Sequence, residues 1–311
     1  MLVFVLLFPG QGSQRPGMGI PWRDHASWQL VGQLSEVVGR DLAELLLDAS
    51  PEALRATRNA QLATYTLSLV ALDAATNGPL DDGVRGERLI AVAGHSLGEY
   101  TALVAAHALS ASEGATLVQA RGEAMQSAAE SNPGTMAAVI GLELEGVAEA
   151  CGEVEGAWVA NDNSPGQVVI AGTLQGVEDA SAAALKRGSK RVIPLQVGGA
   201  FHTPLMRPAQ GPLDAALAAA EFAPASCTVV ANVDAAPHTD EFRPLLSAQL
   251  CSQVRWRGSL VALAGTGAEL FVELGPGTEL SGMVRRTVPD AARLNLAGPE
   301  DLETLASAVN S

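Results

Sequence analysis

The chain has 311 residues and a formal net charge of -15, from 19 basic and 34 acidic side chains. With 48% apolar residues it can bury a sizeable core, which excludes a disordered or fibrous polymer, and its acidity offers no footing for the phosphate electrostatics of nucleic-acid binding. Three scattered cysteines, Cys151, Cys227 and Cys251, fall in no metal-ligand spacing and read as reduced thiols, so no metal site is expected.

The opening run Val3–Phe8 is apolar throughout. No basic segment precedes it and P-G-Q-G-S-Q follows instead of a small-residue cleavage site, so it predicts a buried strand rather than a signal peptide. No run reaches the roughly 18 apolar residues of a membrane span, and a cytoplasmic protein is expected. Further along, Leu89–Ala93, Val192–Val197, Thr228–Val233 and Leu270–Leu274 have the pattern of strands buried on both faces, with Ala-rich helical segments between several of them. That alternation predicts an α/β fold with a largely parallel sheet.

One stretch breaks the rhythm. Thr135–Leu142 is a strand, Glu145–Val154 a helix, Ala157–Ala160 and Gln167–Ala171 two strands, Leu174–Arg187 a helix and Lys190–Val197 a last strand. The order β-α-β-β-α-β is that of a ferredoxin-like unit. The predicted organisation is a large α/β domain of residues 1–130 and 199–311, with residues 131–198 inserted as a small subdomain.

The sharpest motif is L-I-A-V-A-G-H-S-L-G-E-Y, residues 89–100, an apolar strand running through G-x-S-x-G into the helical stretch Glu99–Leu109. This is the pattern of a nucleophile elbow, whose tight turn excludes side chains at Gly94 and Gly98 and exposes the hydroxyl of Ser96. The backbone N–H of Leu97 then stands at a helix N-terminus, placed to stabilise an oxyanion. The alternative is a tight strand-to-helix turn carrying an incidental serine. A serine needs a base. Of five histidines, His95 adjoins Ser96 and points away from it, His107 falls on the Tyr100 and Leu103 face as a core histidine, and His25 and His238 lie in polar turns. His202, in V-G-G-A-F-H-T-P-L-M just past a strand and its glycine turn, is the favoured base. Asp162 and Asp179, between serine and histidine in the chain, lie in the inserted segment, so a Ser-His dyad oriented by a backbone carbonyl fits better than a triad.

Ser110 and Glu113 form a capping box for a helix running to about Glu130. On it Leu117, Arg121 and Met125 share one stripe, so Arg121 faces inward and either meets an anion, most naturally a carboxylate, or snorkels out to the surface or an internal acid. At the chain start, F-P-G-Q-G-S-Q lacks the register of a dinucleotide loop; its glycine-flanked Gln11 can present a backbone N–H to an oxyanion.

Taken together these residues resemble the malonyl-CoA:acyl-carrier-protein transacylases and the acyltransferase domains of polyketide and fatty-acid synthases. The resemblance extends over N-A-Q at 59–61, Q-A-R-G-E-A-M at 119–125, A-N-D-N-S-P-G-Q-V-V-I-A-G at 160–172, Q-L-C-S-Q-V-R-W at 249–256 and E-L-G-P-G-T-E-L-S-G at 273–282. It implies an α/β-hydrolase-like core and a ping-pong transfer of malonyl from CoA to the phosphopantetheine thiol of acyl-carrier protein, with no bound cofactor. Ser96 is then the nucleophile, His202 the base, Gln11 and Leu97 the oxyanion donors and Arg121 the ligand of the malonyl carboxylate. The carbonyl of Gln249 orients His202, and Gln61, His95 and Asn161 line the pocket. Phe201 before the histidine goes with malonyl rather than methylmalonyl. Leu62 and Gln253 stand where the family has proline. A chain without ketosynthase or carrier domains suggests a stand-alone enzyme of fatty-acid synthesis; a thioester hydrolase or a trans-acting polyketide acyltransferase of the same fold are the alternatives. Carrier proteins are acidic, so docking is expected on basic clusters, Lys186, Arg187, Lys190 and Arg191, or Arg285 and Arg286.

Overall fold

The computed structural model describes residues 2–81 and 88–309. Its larger sheet has six strands, β1 (Phe4–Phe8), β2 (Leu89–Gly94), β7 (Thr228–Val230), β8 (Pro237–His238), β9 (Leu270–Leu274) and β10 (Ala292–Leu296), in the order β10-β9-β1-β2-β7-β8. All pairings are parallel except β7 with β8. Every residue of β1 and β9 is buried, as expected of central parallel strands covered by helices on both faces. Leu6, Phe8 and Val92 pack to one side of the sheet against the long helix Thr57–Thr76, whereas Val5, Leu7 and Ala93 pack to the other with Trp256 and Leu260.

The smaller sheet is β3 (Thr135–Ile140), β4 (Ala157–Ser164), β5 (Gln167–Gly172) and β6 (Arg191–Pro194). Its order, β4-β5-β3-β6, is antiparallel throughout, and the helices Leu144–Gly152 and Leu174–Lys186 close a separate apolar cluster over it. This is the ferredoxin-like arrangement read from the sequence. The chain is therefore mixed α/β: a mostly parallel six-stranded sheet and a four-stranded antiparallel one.

Four details differ from expectation. β4 runs on to Ser164, with bulges, where N-D-N-S had been read as loop. β6 is a four-residue edge strand with an exposed face rather than a buried one. β8 and β10 were unforeseen. His107 is exposed, not a core residue, because the helix of the elbow ends at Ala105 and His107 adopts a left-handed conformation with φ 57.

The two sheets are joined by the segment after Gln249. Val254 N–H donates to the carbonyl of Ala160 and its carbonyl accepts from Asp162 N–H, both at 2.9 Å. Arg257 adds ion pairs to Asp162 at 2.9 Å and Glu143 at 3.0 Å. Among the described residues, no helix is long and apolar enough to cross a membrane.

Candidate active site

The site is assembled from stretches far apart in the chain. β2 ends in Gly94 and the helix Gly98–Ala105 begins four residues later. Between them Ser96 has φ 52, in the left-handed region that L-residues rarely occupy. The turn closes because both flanking glycines lack side chains: a methyl on Gly94 would overlap the backbone of Gly98, and one on Gly98 would overlap the carbonyl of Phe8. Asn232, just after β7, braces the strained turn. Its Oδ1 accepts from Ser96 N–H at 2.6 Å and its Nδ2 donates to the carbonyl of Gly94 at 2.7 Å.

Ser96 Oγ lies 2.7 Å from His202 Nε2, and the other ring nitrogen, Nδ1, lies 2.9 Å from the backbone carbonyl of Gln249. A carbonyl only accepts, so Nδ1 carries the proton and Nε2 presents its lone pair to the serine hydroxyl. Among the described residues no acid completes the pair. His202 is itself held at φ 61, and Thr203 ties the turn through its hydroxyl to the carbonyl of Ala200 at 2.7 Å. Burial, with the Arg121 charge second, pushes the imidazole down to about 3, so it is neutral at physiological pH.

Arg121 lies in the helix Ala111–Ser131, whose capping box is formed as read, and it is 1% exposed on the stripe of Leu117 and Met125. Nη1 donates to Gln61 Oε1 at 2.8 Å; Nη2 donates to Gln249 Oε1 and to Ser96 Oγ, each at 3.0 Å. The ring of Tyr100 lies 5.7 Å below the guanidinium carbon. Nε has no partner, and among the described residues no carboxylate forms an ion pair with this arginine. A buried cation resting on neutral amides is a receptor for an anion. Burial excludes the surface alternative for Arg121, and no internal acid pairs with it among the described residues.

These groups open into a cavity of about 200 Å³ between the sheets. Gln11, His95, Ser96, Arg121, Asn161, Phe201 and His202 line it, with Met125, Met136, Leu195 and Val197 as an apolar wall. His95 turns from Ser96, as anticipated, and shares a 2.8 Å hydrogen bond with Asn163. Gln61 and Gln249 do not reach the cavity wall; both are fully buried and act on it from beneath through Arg121 and His202. Leu97 likewise buries its side chain, at the N-cap of the elbow helix. Two residues of the network were missed in the sequence, Asn232 and the buried Glu99, whose carboxylate accepts from Asn232 N–H and from Gln249 Nε2, both at 2.9 Å. Glu99 had stood in view as the last acidic letter of the elbow motif. Among the described residues, no group of three or more His, Cys, Asp or Glu is placed to hold a metal ion.

The basic clusters lie elsewhere. Lys186, Lys190 and Arg191 are exposed, while Arg187 is paired with Glu149 and Glu153. Arg285 shares a shallow depression with Arg293, and Arg286 hydrogen-bonds Ser164 and Gln167 of the smaller sheet.

Comparison with known proteins agrees with this geometry. Residues 3–304 match the acyl transferase domain family. A malonyl CoA-acyl carrier protein transacylase of Bacillus subtilis is 39% identical over 311 residues, spanning 97% of this chain and 96% of its own. Its counterpart in Escherichia coli (strain K12) is 40% identical over 297 residues, 93% of this chain and 94% of its own. The crystal structure of a malonyl-CoA:acyl carrier protein transacylase from Xanthomonas oryzae superposes with a TM-score of 0.92 at 38% identity, covering 99% of each chain. A malonyl-transacylase solved in complex with its type II polyketide acyl-carrier protein gives 0.92 at 34% identity, over 98% of this chain and 99% of that one. The chain belongs to the acyl transferase family and, within it, to the malonyl-CoA:acyl-carrier-protein transacylases.

Proposed function

We propose that this chain carries a malonyl group from CoA to the phosphopantetheine thiol of an acyl-carrier protein, the activity its relatives are named for, through a malonyl-serine intermediate. The observation that carries the reading is the fork of Arg121, buried without a carboxylate partner and within 3.0 Å of the nucleophile.

In the first half-reaction Ser96 Oγ attacks the thioester carbonyl and passes its proton to His202 Nε2. The oxyanion is held by the backbone N–H groups of Gln11 and Leu97, each typically contributing about 10²–10³ in rate. The C–S bond then breaks and the CoA sulfur takes the proton from His202. In the second half the carrier thiol gives its proton to the same nitrogen, attacks the malonyl ester and releases Ser96 reprotonated. Gln249 keeps the imidazole in the required tautomer by accepting from Nδ1. Throughout, Arg121 holds the free malonyl carboxylate in place of its bond to Ser96. Gln61 and Gln249 steady the guanidinium, His95 and Asn161 shape the wall, and Phe201 leaves no room for an α-methyl group. In this reading residues 1–130 and 199–311 form one unit carrying the reacting groups, and residues 131–198 another that closes the acyl pocket over them.

The test is intact-protein mass spectrometry after brief mixing with malonyl-, acetyl- or methylmalonyl-CoA, with and without holo acyl-carrier protein. A malonyl adduct on Ser96 that discharges onto the carrier is the expected result. An adduct that decays into water at the same rate without carrier supports a hydrolase instead.

Carrier docking is part of the same proposal. Lys186, Lys190 and Arg191, and Arg285 with Arg286, supply positive charge on an acidic molecule. Reversing Lys190 and Arg191 to glutamate is expected to slow transfer to the carrier and leave transfer to free pantetheine unchanged; equal rates in both assays would remove this patch from the interface.

A further inference from the structure

Glu99 lies three residues beyond Ser96 and is 2% exposed. Burial pushes its carboxyl up to about 7, opposed by the hydrogen bonds from Gln249 and Asn232 and by the Arg121 charge, and in the ionised form it only accepts hydrogen bonds. Because its Oε2 sits 2.9 Å from the side-chain amide of Gln249, the nitrogen of that amide, not the oxygen, must face it. The second proton of the same nitrogen goes to the carbonyl of Ser96 at 3.0 Å. With both protons engaged, Gln249 Oε1 is left to accept from Arg121 Nη2 at 3.0 Å, while the main-chain carbonyl of the same residue accepts from His202 at 2.9 Å. The reversed amide would set an NH₂ group against the guanidinium and an oxygen against a carboxylate. The carboxylate also takes the N–H of Asn232 at 2.9 Å, the residue that braces the elbow.

The arrangement separates two charges that would otherwise pair. A carboxylate touching Arg121 directly would occupy the fork that the substrate needs. Placed behind Gln249, Glu99 still offsets the buried positive charge but leaves the guanidinium on neutral oxygens. We infer that Glu99 is a positioning residue that sets the orientation of the Gln249 amide, and through it the malonyl selectivity of Arg121. This rests on the malonyl-transfer reading above.

The experiment compares kcat/KM for acylation of Ser96 by malonyl-CoA and by acetyl-CoA in wild type, Glu99→Ala, Glu99→Asp and Glu99→Gln. Loss or displacement of the acceptor in the alanine and aspartate variants is expected to lower the malonyl-to-acetyl ratio by about tenfold or more. Glu99→Gln keeps an oxygen that accepts from Gln249, and its ratio is expected to stay within about threefold of wild type. Mere loss of folded enzyme lowers both substrates in step and leaves the ratio alone. If the alanine variant does not fold, the aspartate variant carries the comparison. A wild-type ratio retained in Glu99→Asp overturns the inference, as does a glutamine variant as unselective as the alanine one. A wild-type ratio near one instead overturns the malonyl reading, and this inference with it.

Discussion

The guanidinium of Arg121 has two duties that substitution separates. Arg121→Ala removes a bidentate, charge-assisted contact with the malonyl carboxylate, typically about 1.5–3 kcal/mol, so kcat/KM for malonyl-CoA is expected to fall by about 10- to 150-fold. Acetyl-CoA, with no carboxylate to lose, is expected to fall much less. Parallel assays of the two thioesters check this. Arg121→Lys keeps charge but not the planar fork reaching Gln61 and Gln249, and is expected to recover only part of the loss. His202 sets the pH dependence. Its neutral form is the base, and burial, with the Arg121 charge and then His95 beside it, holds its pKa down to about 3. Lowering the pH through the usual imidazole range therefore leaves it deprotonated, and the acid limb of kcat/KM in its titration lies well below pH 6.5. A pH–rate profile measures it; because burial lifts Glu99 to about 7, the profile is repeated in Glu99→Gln, where a limb at 6.5 would contradict the assignment. At this scale the letters were readable wherever chemistry restricts the residue type: serine between glycines, a histidine after a glycine turn, an arginine on an apolar stripe. Glu99 and Asn232 escaped because their contribution is relational, a hydrogen bond to a group more than a hundred residues away.

At the scale of the element, the elbow and its helix were the most legible part. A strand, two glycines and a helix N-terminus are a local grammar, and the clash of a methyl at Gly94 or Gly98 with neighbouring backbone explains why. Gly98→Ala is expected to destabilise the protein by about 4 kcal/mol or more, since backbone must move away from β1 to admit it; thermal unfolding against wild type measures the loss, and an unchanged midpoint would refute this account of the turn. The capping box at Ser110 was equally plain, being contained within four residues. β10 was not. Ala292–Leu296 carries a charge and an asparagine, its first two residues are exposed, and its pairing with β9 is made across the helix Glu279–Thr287. β8 is only two residues long. An edge strand buries too little to announce itself by composition, and β6 was misjudged for the converse reason, an apolar run left half in solvent.

At the scale of the molecule, the cavity is bounded by two sheets; one face of the smaller has its own apolar cluster while Met136, Ala138, Val169 and Ala171 on the other join the main core, so its shape depends on how firmly the sheets are joined. Arg257 is one of the fasteners, spanning from its helix to Asp162 and Glu143. Arg257→Gln leaves the largely buried Asp162 without its charge partner, a cost of about 1–3 kcal/mol. The expected signature is a raised KM for malonyl-CoA with kcat less affected, because the reacting groups stay on the larger sheet while Asn161 and Val169 move with the smaller; steady-state kinetics separate the two. A variant with KM unchanged would show that the remaining links suffice.

The strand order carries a consequence for how such a chain is made. β1 lies at the centre of its sheet, between partners that come later in the chain and begin at Leu89 and Leu270. A growing polypeptide can pair one side of Phe4–Phe8 early, but the other side stays unpaired until Leu270–Leu274 has left the ribosome. Closure of the sheet is thus a late, long-range event with a heavy loop entropy, and slow folding is the natural outcome. Fragments cut before Leu270 would carry a bare apolar strand edge, and they should aggregate instead of folding to a smaller working unit.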